Sequence, residues 1–270
     1  MKVFKKIFDF YIEGSIHVAL SCFALVHITQ HYFNISKDFH LAYFAFFSTI
    51  VGYNFVKYEA LARAQKAQMT NKLKAVAVLT FLSLLAVGFY FFQLQSITQI
   101  ISIAFLILTL LYTLPFFPNI KNARNWAGVK IYIVALCWVG VTVVLPVLNA
   151  EISITSDFYL KCIQRFILIF VLILIFEIID LAKDDPHLQT VPQQIGVKRT
   201  KKLGFLLLAL FFGLNFFSFI IDVNFEYSSF IIAIVTALFL AFANEERSKY
   251  YTSFWAESLP ILWWIILVLL

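Results

Sequence analysis

Apolar residues in this chain run in long stretches, and polar residues gather in the short gaps between them. A bilayer core of about 30 Å calls for roughly 20 apolar residues per helix. By that measure the pattern predicts nine spans, at about 14–33, 38–57, 75–93, 97–115, 129–149, 159–182, 204–222, 226–243 and 255–270. In lipid every backbone polar group needs an internal partner, which leaves helices or a closed barrel, and these runs are too long and unbroken for barrel strands. Pro115, Pro118, Pro146, Pro192 and Pro260 fall at or near span ends, where a missing N–H costs least. The expected fold is all-α, one transmembrane domain over residues 1–270.

Composition sharpens that picture. Hydrophobic residues make up 62% of the 270 positions and charged residues only 13%, against about a quarter charged in a soluble domain. A soluble globule so composed could not cover its surface, and disorder or a small disulfide scaffold is excluded on the same ground. The cysteines Cys22, Cys137 and Cys162 lie in apolar runs without metal-ligand spacing and read as packing residues. The opening Met1–Lys6 resembles a signal-peptide start, but no small-residue cleavage site follows, so the first span is expected to be retained. A net charge of +6 in this setting reflects basic loops rather than nucleic-acid binding, for which the interleaved aromatics are lacking.

The placement of the basic residues gives an expected orientation. With the N-terminus in the cytoplasm, 18 of the 21 Lys and Arg fall on the inner side, leaving Lys37, Lys161 and Arg165 outside. Together with the lack of a targeting segment, this fits a bacterial inner membrane. The outer connections are short, whereas two inner ones, Tyr58–Lys74 and Lys183–Leu203, are long and charged. Long loops in a compact bundle are commonly functional, so the inner face is where chemistry is expected.

The strongest local signal follows the sixth span. Glu177, Asp180 and Asp184 are spaced three and four apart and share a helical face. Three carboxylates on one face repel unless a cation sits among them, and Mg²⁺ commonly joins a few carboxylates to substrate phosphates. The plain alternative is a solvated helix end whose acids pair with Lys183, Lys198 and Arg199. Next come Thr190-Val191-Pro192 and Ile195-Gly196, which alone read as a turn.

Taken in order, ExxDxxxD, T-V-P and I-G resemble the second aspartate-rich signature of the UbiA superfamily of intramembrane prenyltransferases, which follows the sixth of nine helices there as here. Tyr112-Thr113-Leu114-Pro115, followed by Lys121, Arg124 and Lys130, is similar to the family's segment after the fourth span. The resemblance implies nine helices around a central cavity open to the cytoplasmic side. It also implies transfer of an isoprenoid from its diphosphate to a hydrophobic acceptor, such as a quinone precursor or another lipid. By the same resemblance, Glu177, Asp180 and Asp184 are expected to bind Mg²⁺, with Asp180 and Asp184 catalytic in helping the diphosphate leave.

The family's first signature, NDxxDxxxD, is degenerate here. Asn54 matches its asparagine, but Phe55, Tyr58 and Ala62 occupy the acidic positions, and Glu59 is one place off. A one-residue shift rotates a side chain about 100° round a helix. One Mg²⁺ site is therefore expected rather than two. Lys57, Arg63 or Lys66 is expected to supply positive charge directly in place of the missing ion, with surface snorkelling of Lys57 as the alternative. Asn54 is expected to assist as a neutral ligand or donor, and Lys121 or Lys130 as cationic contacts to the diphosphate.

Other residues carry less. His27 and His31 share a face in the first span without a second ligand pair, and so read as interior or interfacial histidines. Asp9 and Glu13 read as acids just before the first span. A cavity lined by some of the 49 aromatic residues (32 Phe, 12 Tyr, 5 Trp) would suit an isoprenoid chain and its allylic cation. Two rivals stand beside the enzyme: a non-catalytic UbiA-like protein that binds a prenyl lipid or a protein partner, and a small transporter, which the lack of half-chain repeats disfavours.

Overall fold

The computed structural model describes residues 2–36, 38–64, 70–113 and 128–270, and all regular secondary structure among them is helical. Helix α1 (Lys2–Glu13) bends 56° into α2 (Ile16–Tyr32). There follow α3 (Phe39–Ala64), α4 (Asn71–Phe91) and α5 (Ser96–Thr113). Next come α6 (Lys130–Val139), joined through a π-helical turn at Gly140–Val144 to α7 (Leu145–Asn149), and then α8 (Ser156–Asp180). The short α9 (Val191–Ile195) leads into α10 (Val197–Gly213) and α11 (Val223–Phe242). A second π-helical turn at Tyr251–Ala256 precedes α12 (Leu259–Leu269).

Among the described residues the expected spans overlap helices, but the count of nine crossings is not confirmed, because fewer helices qualify by length and composition. Among the described residues seven helices are long and apolar enough to cross a bilayer, eight if the bent α1–α2 pair is one span; the apolar part of α5, Ser96–Leu111, is shorter. On α4, Phe81, Leu82, Leu85 and Phe89 are all exposed, as befits a helix whose outer face meets lipid. One charge assignment needs correction: Lys161 and Arg165 do not lie in an outer loop. The helix containing them starts at Ser156, and both are buried within it.

Helices α2 and α8 form the middle of the bundle. Leu25 and Ile28 of α2 meet Leu168, Ile175 and Ile178 of α8 in one apolar cluster, which α10, α11 and α12 complete through Phe211, Ile232 and Trp263. Lipid tails are as apolar as these side chains, so close packing and internal hydrogen bonds, more than water exclusion, hold such a bundle together. The bends are local to particular residues. Ser15 sits in the left-handed region (φ 62°) between α1 and α2. Pro146 has no N–H to offer the carbonyl four residues back, Thr142, and that carbonyl instead accepts the Thr29 hydroxyl at 2.6 Å. A Cβ on Gly140 would fall 2.1 Å from the Phe105 ring, so only glycine lets α5 cross the π-turn this closely.

Candidate functional site

The last turn of α8 and the segment after it form a tightly knit unit. Glu177 is buried, and its Oε2 accepts the Val191 N–H at 3.1 Å, so one carboxylate oxygen holds the first residue of α9. Thr190 and Gln193 form a capping box: the Gln193 side chain accepts the Thr190 N–H at 2.9 Å, and the Thr190 side chain faces the Gln193 backbone N–H. Asp185 accepts from the His187 N–H at 2.9 Å, and Gln193 donates to the Asp185 carbonyl at 3.2 Å. At the start of α6, the Gly128 N–H donates to the Leu188 carbonyl at 3.2 Å; Gly128 has φ 69°, a conformation that favours glycine. These contacts hold the TVP segment and the base of α6 against the acidic end of α8.

Within this unit Asp180 and Asp184 face each other electrostatically one turn apart, and the Asp184 N–H donates to the Asp180 carbonyl at 2.9 Å. Lys130 acts on both Glu177 and Asp180, and Lys183 acts on Asp180. No described residue donates a hydrogen bond to the side chain of Asp180 or Asp184. The structure thus brings together four of the expected site residues: Glu177, Asp180, Asp184 and Lys130. Lys121 lies outside the described residues.

Asn54 and Lys57 belong to a second cluster, built on the α1–α2 bend. Asn54 is buried with its amide fully occupied: Nδ2 donates to the Gly14 carbonyl (3.2 Å) and Thr80 Oγ1 (2.9 Å), and Oδ1 accepts from Ser15 Oγ (2.8 Å). Lys57 Nζ donates to the same Ser15 Oγ at 3.2 Å and interacts electrostatically with Glu257 and Glu13. Glu13 also pairs with Lys72 and, at 3.7 Å, with Lys249, while the Tyr58 hydroxyl donates to its carbonyl at 3.1 Å. Tyr250 donates to Asp9. Asp9 and Glu13 therefore bind α1 to the other helices.

A bound divalent ion has partial support in the acidic unit. Among the described residues no three His, Cys, Asp or Glu side chains stand close enough to cage a metal. Glu177 already holds a backbone N–H, but Asp180 and Asp184 offer oxygen ligands of the kind Mg²⁺ accepts when phosphate oxygens and water complete its shell. The histidines go elsewhere: His31 Nε2 meets Asp222 at 3.1 Å, and His27 stacks on Trp264. Sequence reasoning passed over Glu257 and misplaced Lys161 and Arg165. A charge within an apolar run was the signal that marks all three.

No family model matches the chain, and no curated protein matches it in sequence. Its fold is similar to the solved structure of a digeranylgeranylglyceryl phosphate synthase from membranes, a UbiA-superfamily prenyltransferase. The TM-score is 0.57, with 98% of this chain and 96% of that one covered at 14% identity. The fold of this integral membrane protein is therefore UbiA-like.

Proposed function

We propose that the chain is a membrane prenyltransferase moving an isoprenoid from its diphosphate to a hydrophobic acceptor. Asp180 and Asp184 hold one Mg²⁺ together with the diphosphate, and Glu177 positions the TVP segment. The observation that carries this reading is the open Asp180–Asp184 pair, backed by Lys130 and fixed against α9, in a UbiA-like fold. Mg²⁺ held by Asp180 and Asp184 would supply positive charge against the negative charge that develops on the departing diphosphate.

The chain's own residues divide the remaining work. Lys130 adds positive charge beside the acids, and Lys183 offsets their mutual repulsion. Lys57 supplies a fixed cation where a second acidic signature is missing, and Asn54 and Ser15 hold it by ordering the α1–α2 bend. N-terminus and acidic unit both face the cytoplasm in this reading.

The test is thermal stabilisation of the purified protein by a non-hydrolysable prenyl thiodiphosphate, with and without Mg²⁺. A Mg²⁺-dependent rise in Tm, lost in Asp180→Asn/Asp184→Asn, is the expected result. A rise that ignores both Mg²⁺ and the substitutions would make this a prenyl-lipid binder without the chemistry, and no rise at all would overturn the reading.

A further inference from the structure

One carboxylate inside the bundle has no part in the reading above. Glu257 falls in the apolar stretch Tyr251–Leu269, where the second π-helical turn passes into α12. Ionisable groups in such stretches are costly and mark functional positions by default, and π-turns are frequent at functional sites.

The backbone at Glu257 is fixed from several sides. Its N–H donates to the Thr252 carbonyl at 3.1 Å, and the Ser21 hydroxyl of α2 donates to its carbonyl. Beside it, His17 Nε2 lies 2.9 Å from the Phe254 carbonyl and 3.0 Å from Ser258 Oγ. A carbonyl only accepts, so in the neutral ring Nε2 carries the proton, and Nδ1 accepts from the Tyr11 hydroxyl at 2.6 Å. Ala256 and Leu259 pack in the cluster that holds Ile175, Ile178 and Ile179 of α8. Glu257 therefore sits at the depth of the helix end that bears Glu177 and Asp180.

Its side chain is committed to nothing comparable. Among the described residues no group donates a hydrogen bond to the Glu257 carboxylate, and no cation lies within ion-pair distance of it. Lys57 and Tyr11 are near enough to feel its charge, yet Lys57 Nζ bonds Ser15 Oγ at 3.2 Å instead. Glu257 is only half-buried and Lys57 is exposed, so open space reaches both. A plain counter-ion would close on its lysine. This carboxylate is instead anchored through its backbone, with its lone pairs unused, near the cation assigned to the diphosphate.

We propose that Glu257 is the base that receives the acceptor's proton, and that the acceptor presents a hydroxyl at its reacting end; this rests on the prenyltransferase reading. A fixed carboxylate hydrogen-bonds a neutral hydroxyl and repels a carboxylate or phosphate in the same place. The bond between C1 of the isoprenoid and the diphosphate oxygen breaks, and its electron pair leaves with the diphosphate. A lone pair of the hydroxyl oxygen forms the new bond to C1. The hydroxyl proton passes to Glu257, which returns it to water through the opening beside Lys57. The product is a prenyl ether. Lys57 and Glu257 thus divide the work, the cation serving the leaving group and the carboxylate the nucleophile.

The test measures transfer from tritium-labelled geranylgeranyl diphosphate with Mg²⁺, by the full chain in detergent, to 1-decanol and to 1-decanethiol. A thiol gives up its proton readily and depends little on a base. Glu257→Gln keeps the shape and removes the base. It should lose about 100-fold or more of the transfer to decanol, while transfer to decanethiol and the Tm rise with prenyl thiodiphosphate persist. Undiminished transfer to decanol, equal loss with both probes, or no transfer to decanol by an unaltered chain that binds the thiodiphosphate would each overturn the inference. Absence of that Tm rise in the unaltered chain would strike the prenyltransferase reading itself, and this one with it. If Glu257→Gln fails to fold, the unaltered chain still decides. Dicyclohexylcarbodiimide, an apolar reagent for carboxyl groups, should label Glu257, and decanol should slow the labelling. An unlabelled Glu257, or labelling indifferent to decanol, overturns the assignment.

Discussion

Removing Glu177 separates holding a metal from holding the loop beside it. Its Oε2 accepts the Val191 N–H at 3.1 Å, and the side chain is buried. A hydrogen bond to a charged group contributes about 1.5–3 kcal/mol, and a buried donor left unpaired loses that much or more. Glu177→Ala is therefore expected to cost about 2 kcal/mol, a Tm drop of roughly 4–8 °C for a chain of this size. Glu177→Gln keeps a carbonyl acceptor in the same place and should cost less than about 1 kcal/mol. Binding of prenyl thiodiphosphate should follow the same order. Through looser positioning, Glu177→Ala should weaken Mg²⁺-dependent binding by about 10–100-fold, the usual effect of losing a group that orients a ligand. Glu177→Gln should stay within about threefold of wild type on the same reasoning, whereas Asp180→Asn should lose the Mg²⁺ dependence altogether. Mg²⁺ titrations of the three variants, followed by thermal shift, give the comparison. Should Glu177→Gln lose Mg²⁺ dependence as fully as Asp180→Asn, Glu177 is itself a ligand and the assignment made from its Val191 contact is refuted.

Three further outcomes can be checked. Asn54→Ala removes three hydrogen bonds at the α1–α2 bend and should cost about 2–3 kcal/mol, read as a lower Tm and faster proteolysis near Gly14–Ser15; a fall in diphosphate affinity at unchanged Tm would instead make it a substrate ligand. Lys57→Met should weaken thiodiphosphate binding while leaving its Mg²⁺ dependence intact, and unchanged affinity would reduce Lys57 to a helix-bend contact. Gly140→Ala drives a methyl into the Phe105 ring and should cost about 1–3 kcal/mol; Phe105→Ala in the same chain should recover most of it, and additive losses in that double-mutant cycle would count against the close crossing.

The helices were legible because lipid imposes a simple rule, about 20 apolar residues per crossing, which the spans obey to within a few residues. The bends were not. The pattern gives no sign that residues 2–13 form a helix of their own, since the break rests on one residue, Ser15, adopting a left-handed backbone that Asn54 and Lys57 hold from another helix. Nor does periodicity reveal the two π-turns. Pro146 and Pro260 mark where they occur, but which carbonyl is freed, and that Thr29 takes it, depends on packing between helices. Lys161 and Arg165 were misplaced for a related reason. Counting basic residues by loop assumes that charges avoid the bilayer, and that assumption fails where a bundle supplies its own hydrogen-bond acceptors.

At the candidate site the sequence exposed the acids but not their division of labour. ExxDxxxD places three carboxylates on one face, and the family resemblance treats them alike. What separates them is a contact fourteen residues away in the chain: the Val191 N–H occupies Glu177 and leaves Asp180 and Asp184 to face each other. The degenerate first signature makes sense on the same terms. Three acids and one Mg²⁺ would leave a local charge of about −1 there, whereas Lys57, Lys72 and Lys249 with Glu13 and Glu257 leave about +1. A diphosphate therefore meets a more favourable field without the second ion. A lysine fixed to Ser15 needs no metal to be present when the substrate arrives, and it cannot leave with the product. It also cannot share its charge among several phosphate oxygens as a divalent ion does. On this reading, loss of the first acidic set exchanges part of the leaving-group stabilisation for a permanently charged entry to the site, and the Mg²⁺ dependence that remains belongs to Asp180 and Asp184 alone.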